Sequence, residues 1–335
     1  MQRFRFLSFL LLALAATVSI VSCGGVKPLP DDGSRFAVRQ GGRVGFIDRA
    51  GKLVIQPQFG SSIDPAEGLI GVSTGKLWGF IDTSGKQVVA PKFKDVGPFD
   101  GDLAPAQVEG SAGYIDRSGK WVIEPQYTAA RKFSGKLAAV KLNGKWGFLD
   151  PQGKLAIQAE FSFTRDFSEG LAVAADDGGK RGFIDPTGKW KIDPQFKDAY
   201  SFHGGLAAVQ KEDGTWGFID PSGNFVIPAT YYGAQSFSGQ YAAVRVGAYW
   251  GFIDRKNQVV VKPAYDFVGK FSDGLAPVQA PHQKWGYVNT TGDIKIKPQF
   301  DRADAFFHGL AAVTLNKKGY GYIGTDGHWI WKPSF

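Results

Sequence analysis

One cysteine, one methionine and four histidines are all that 335 residues offer of the side chains that most often do chemistry. A single thiol cannot close an intrachain disulfide, so no covalent framework is expected. His203, His282, His308 and His328 share no His-x-x-x-His or related spacing, and they are read as solvated turn residues with no metal site. No Gly-x-Ser-x-Gly stands at a strand-to-helix elbow, and no glycine-rich phosphate loop leads into a helix. The sequence therefore predicts neither an enzyme nor a cofactor. Long apolar runs are also missing beyond residue 20, and a membrane-spanning helix needs about 20 such residues, so none is expected in the mature part.

Aromatic residues and glycine are plentiful: 27 Phe, 11 Tyr and 9 Trp stand among 45 Gly and 18 Pro. Strands favour aromatic side chains, and frequent Gly and Pro imply frequent turns, so the composition points to an all-β chain. Lys and Arg exceed Asp and Glu by 39 to 31, giving a net charge of +8.

Arg3 and Arg5, then an apolar run from Phe6 to Ile20, follow the order of a secretory leader. Ile20-Val21-Ser22-Cys23 resembles the bacterial lipobox, in which a diacylglyceryl group is attached to the cysteine and the leader is cut just before it. The expected division is a lipoprotein signal peptide over 1–22, a lipidated Cys23 with a tether over 23–34, and a repeat domain over 35–335. Losing Arg3 and Arg5 with the leader takes two charges from +8 and leaves +6. The implied address is the bacterial cell envelope, with membrane contact through the N-terminal lipid alone. Gly24, where inner-membrane retention often uses Asp, favours the outer membrane in a Gram-negative cell.

One phrase then recurs nine times in steps of 34 or 35 residues, from Gly45-Phe46-Ile47-Asp48 through Gly147-Phe148-Leu149-Asp150 to Gly321-Tyr322-Ile323-Gly324. A fixed period of this size is the mark of units that bury their apolar faces against their neighbours. Three residues after the Asp stands a Gly, as at Gly51, Gly85, Gly119 and Gly153, replaced once by Asn257. Asp first, Pro151, Pro186 or Pro221 second and Gly fourth fit a type I turn closed by a left-handed residue. The strand after it, such as Leu53-Val54-Ile55, is expected to stop pairing at Pro57. A strand such as Leu137-Ala138-Ala139-Val140 precedes the phrase, joined to it through Asn143-Gly144, a strong hairpin signal. Each unit thus reads as a three-stranded meander, with a longer return segment that has room for a short helical turn. Glycine within the strand implies a close approach, expected from a neighbouring aromatic such as that of the Pro-x-Phe corner.

Trp78, Trp146, Trp216, Trp250 and Trp285 stand just before the repeated Gly. With that pair the chain resembles the WG repeat family over nearly everything after Ser34, although Val44, Ala112, Arg181 and Tyr320 replace the Trp. The resemblance implies a repeat scaffold and no shared catalytic residue. Three strands per unit and a last strand that completes its own unit favour an open or gently coiled solenoid of nine repeats, with a closed ring or β-propeller as the alternative.

Little remains to carry function. The Asp series from Asp48 to Asp254 provides one acid per turn, too few for calcium, and is assigned to turn closure. Lys52, Lys86, Lys120, Lys154 and Lys189 follow the turn glycines and would form a basic edge able to meet an anionic envelope polymer. Tyr231, Tyr232, Tyr249 and His282 lie outside the repeat phase, as do the length-variable turns 176–180 and 211–215, and these are candidates for contact with a glycan or a protein. The expected molecule is a monomeric, membrane-anchored scaffold for an unidentified protein or an anionic or glycan envelope polymer, with no nucleic-acid partner. A glycan- or cell-wall-binding module is the alternative, and an envelope hydrolase a remote third.

Overall fold

In the computed structural model, residues 32–315 and 319–333 are described. The expected leader, Cys23 and all but the last three residues of the expected tether lie outside them. The described chain forms 35 strands and no helix. They make nine antiparallel sheets, each with its strands in sequence order; the first has three strands and each of the others four.

Blade 1 is β1 (Phe36–Gln40), β2 (Arg43–Ile47) and β3 (Leu53–Phe59). Blade 2 adds an edge strand of two residues, β4 (Ser61–Ser62), before β5 (Leu69–Thr74), β6 (Leu77–Asp82) and β7 (Gln87–Phe93). The return segments thus hold a short strand where a helical turn was expected. Residues of this strand or its flank from three successive blades, 95–98, 128–132 and Asp166, line one cavity, so the short strands are the inner edges of the blades. The outer strands show the alternating exposure of a solvated rim, with Val88, Val122, Val226 and Val259 out in water.

Both faces of each sheet are covered by other sheets, which is why the central strands read as continuous apolar runs. Phe148 enters a cluster with Ala172, Ala174 and Ile184 of the following blade, whereas its neighbour Leu149 faces Tyr114 and Ile123 of the preceding one. One aromatic pair recurs at these interfaces. The Phe or Tyr of the Gly-Phe strand meets a Phe of the next return segment, as in Phe80–Phe99, Phe148–Phe167, Phe183–Phe202 and Phe218–Phe237, with centroids 4.8–4.9 Å apart. Such pairs add about 0.5–1.5 kcal/mol beyond area burial.

The repeated Gly is fixed by backbone, not by an aromatic as expected. A Cβ on Gly45 would lie 2.5 Å from the Ile55 carbonyl oxygen and 2.7 Å from the Pro57 nitrogen. The cause is a bulge: Val44 pairs with Phe59 and Phe46 with Ile55, so the outer strand crosses over Gly45 with extra residues. Proline does not end the pairing either, because β3 runs through Pro57 to Phe59, on a sheet edge that needs no donor there.

The array is a closed ring, which corrects the open solenoid. In successive blades the turn Gly packs on the outer strand of the blade before it: Gly85 on Ile55, Gly153 on Ile123, Gly223 on Ile192 and Gly327 on Ile296. Gly51 of blade 1 makes the same contact with Ile330 of blade 9. Phe36, Val38 and Ile47 join Leu310, Tyr322, Ile330 and Trp331 in one cluster. Among the described residues no blade is shared between the chain ends, so side chains close the ring.

Candidate binding surfaces

The Asp turns behave as the sequence implies. In each, one carboxylate oxygen accepts the N–H groups two and four residues on, as Asp48 does from Ala50 and Lys52, both at 2.9 Å. Ser84 donates at 2.6 Å to Asp82, and that bond leads the causes that hold the carboxyl below its ordinary range. Asp116 and Asp185 are lowered in the same way by Ser118 and Thr187, and Asp220 chiefly by the Asn224 N–H. Among the described residues no cluster of His, Cys, Asp or Glu has the make-up of a metal site.

Lys52, Lys86, Lys120, Lys154 and Lys189 are all exposed, one on each of blades 1 to 5. Their amides are used in the turns, so only the ammonium ends are free to meet a ligand. At these same ends of the blades, arginines staple neighbours together. Arg117 donates to the carbonyls of Glu67 in blade 2 and Gly101 in its own blade, at 3.0 and 2.9 Å. Arg255 does the same for Gly204 and Gly239, at 2.5 and 2.9 Å.

At the other end of the Gly-Phe strands lie the hairpin turns, and here the three candidate tyrosines separate. Tyr231 is half-buried and donates to Asn257 Oδ1 of the next blade at 2.5 Å, so it belongs to the framework. Tyr232 and Tyr249 remain in water at 67% and 41% exposure. The Tyr232 N–H donates to the Arg245 carbonyl, and Val246, 49% exposed, pairs directly with Tyr249. Three apolar side chains on adjacent strands thus occupy one corner of blade 7. Elsewhere the place of Tyr232 is taken by Gly60, Lys94, Thr128, Ser162, Lys197, Asp266 or Asp301, each making the same amide bond. Phe267, 59% exposed, stands at the equivalent end of blade 8 and was not singled out from the sequence, because it follows the repeat closely enough to pass as core. The turns 176–180 and 211–215 lie at this end too, as hairpins closed by Asp176 and Lys211. His282 is an exposed residue of such a turn with positive φ.

A third feature lies at the seam. Two cavities, about 540 and 450 Å³, flank β1 between the inner strands of blades 2 and 9. Tyr322 crosses the seam and donates to the Ala37 carbonyl at 2.9 Å, its ring 5.6 Å from that of Phe36. Burial raises the Tyr322 hydroxyl well above its ordinary range, with Tyr320, Asp64 and Asp304 adding to the effect.

Nine radial blades of antiparallel strands around a common axis define a β-propeller. The WG containing repeat is matched eight times, over 45–78, 78–111, 113–146, 146–179, 182–214, 216–250, 250–280 and 285–318, and the chain belongs to this family. Each matched unit spans the outer half of one blade and the inner half of the next. Among solved structures, the chain is similar to the crystal structure of the eukaryotic initiation factor, at 13% identity and a TM-score of 0.62, covering 90% of this chain and 94% of that one. BamB from Moraxella catarrhalis gives 0.45 at 15% identity over 73% and 87%, and the dihydro-heme d1 dehydrogenase NirN 0.49 at 13% over 82% and 75%. The first supports the fold; the other two scores are too low to carry an argument. No curated protein is similar enough in sequence to count as a match.

Proposed function

We infer that this propeller is a non-catalytic binding scaffold of the bacterial cell envelope, held to a membrane by a lipid on Cys23, and that blade 7 carries its recognition corner for a protein or an envelope polymer. The observation that supports this most is the contrast between aromatics. The repeat-phased rings are buried between blades, whereas Tyr232 and Tyr249 stand in water beside Val246, and at the place of Tyr232 the other blades with an inner strand have Gly60, a Ser, a Thr or a charged residue. Exposed Tyr offers large contact area at low entropic cost and is enriched in interfaces.

The test is photo-cross-linking on intact cells with a benzophenone side chain at position 232 or 249. Specific adducts are expected there and not at position 122 on the rim. Equal adducts at all three positions, or none, would sink the reading. A glycan partner is the second reading, favoured by the same two exposed rings; it predicts glycan-array binding that survives high salt and is lost in Tyr232→Ala. Salt-sensitive binding lost on charge reversal of Lys52 to Lys189 would instead assign recognition to the basic arc.

A further inference from the structure

Eight of the nine blades carry an inner strand, and its bonds follow one pattern. In blade 2 the Gly60 N–H donates to the Ser73 carbonyl and the Ile63 N–H to the Gly71 carbonyl. Blade 1 has the same second strand, with Ala37 and Arg39 in the places of Gly71 and Ser73, but among the described residues no strand pairs with its inner edge. The two seam cavities occupy the place where that strand would lie, since their walls include Ser61 and Ser62 of one neighbouring inner strand and Arg302 of the other. Tyr322 caps one carbonyl of the edge, Ala37 O. The Ala37 N–H and both polar groups of the Arg39 backbone have no hydrogen-bond partner among the described residues. An open strand edge is a ready template for one more strand.

The walls add polarity. Inner strands run antiparallel to the second strand of their blade, so an added strand would start beside Arg39 and Arg302 and end beside Asp64 and Asp304. None of these four side chains makes an ion pair among the described residues. Arg39 reaches only the carbonyls of Gly42 and Gly60.

We propose that the seam is a β-strand-addition site, taking an extended segment of a partner protein that is acidic at its N-terminal end and basic at its C-terminal end. The site rests on the scaffold reading but uses residues far in sequence from the blade 7 corner, so the two fail separately: a seam that binds nothing leaves cross-linking at positions 232 and 249 unchanged.

Two capped hexapeptides serve as probes for the full chain: one with glutamate first, lysine last and alternating valine and threonine between, and its charge-reversed twin. The first should bind at least tenfold more tightly than the second by fluorescence anisotropy. Binding should disappear in Ala37→Pro, which removes an edge N–H, and the preference should shrink in Arg39→Glu, which cancels the charge of Arg302 at that end and leaves Asp64 and Asp304 at the other. The exposed Arg39 substitution keeps the test decisive if Ala37→Pro fails to fold. Absence of binding by either peptide would overturn the proposal, as would a preference that Arg39→Glu leaves unchanged. It would also be overturned if the Ala37 and Arg39 amides resisted hydrogen exchange in the peptide-free chain, for the edge would then already be covered by the chain itself.

Discussion

Arg181 shows how far a single position can depart from the repeat while keeping its work. It stands where five other blades have Trp, and its guanidinium carbon lies 4.1 Å from the centroid of Phe163, with Asp198 of the next blade 3.1 Å from Nε. A flat cation thus replaces a flat ring, and the neighbouring blade supplies the counter-charge. The repeated Gly allows no such freedom, because backbone fills the space a Cβ would need. The turn Asp is less constrained, since Asn289 replaces it with the same two amide bonds from Thr291 and Asp293. The acids nevertheless leave a signature. The carboxyls of Asp82, Asp116, Asp185 and Asp220 are depressed in the folded state, so their contribution is present above the unfolded value of about 3.9 and is lost as pH falls through the folded values. The urea midpoint should therefore hold between pH 7 and 5 and fall progressively below about pH 4. A midpoint that rises on acidification would contradict this. Residues of this kind were legible in the sequence because turn chemistry is local. Tyr231 was misjudged for an equally local reason: Pro228 stands one position earlier than Pro57 or Pro194 do in their blades, which hides that Tyr231 fills the Phe59 corner.

Between elements, the seven return-segment aromatics and the small residues opposite them form a code. Where the return segment supplies Phe133, Phe167 or Phe202, the second strand offers Ala138, Ala172 or Ala207 to make room. Blade 2 has Pro65 in that place and carries Ile70 on the strand, and blade 1, where no such Phe stands, carries Phe36. Bulk moves from loop to strand and the interface stays filled. Phe202→Ala removes a fully buried ring and its contact with Phe183, so it should destabilise by about 3–5 kcal/mol in chemical denaturation. The same change at exposed Phe267 should cost less than about 1 kcal/mol. Comparable losses at both sites would refute the assignment of core and surface. The period and the three longer strands of each unit could be read from hydrophobic pattern and hairpin signals. The inner strand could not, because two residues such as Ser61–Ser62 or Asp95–Val96 are too few to show alternation.

For the whole molecule, the period determines that units stack but not how much each is rotated against the last, so ring and solenoid share one sequence pattern. Closure is decided by Gly51 against Ile330 and Phe36 against Tyr322, contacts between the two ends of the chain that no local rule connects. Among the described residues the termini share no sheet, so the seam is held by packing between the first and last blades. A circular permutant that joins residue 333 to residue 32 through a flexible linker and opens at Asn143–Gly144 should fold to the same ring, with a melting temperature within about 8 °C of the parent. Loss of cooperative unfolding in that permutant would show that the native chain order is required. The candidate surfaces were only partly legible for a related reason: Tyr232 and Tyr249 stood out as aromatics outside the repeat phase, whereas the open edge of β1 exists only because the ring brings blades 2 and 9 to either side of it.

That seam also determines how the molecule would bear load. The segment Asp32–Ser34 enters the ring at this interface, where the Asp32 carboxylate takes the Arg49 guanidinium at 2.9 Å and Ser34 Oγ lies 3.1 Å from His308 Nδ1. Tension transmitted along the chain toward Phe36 therefore reaches the one joint closed by side chains across the two ends of the chain, before it reaches any complete four-stranded sheet. Under traction the ring would part there first, like a clasp, and each blade behind it would keep its own ladder of hydrogen bonds.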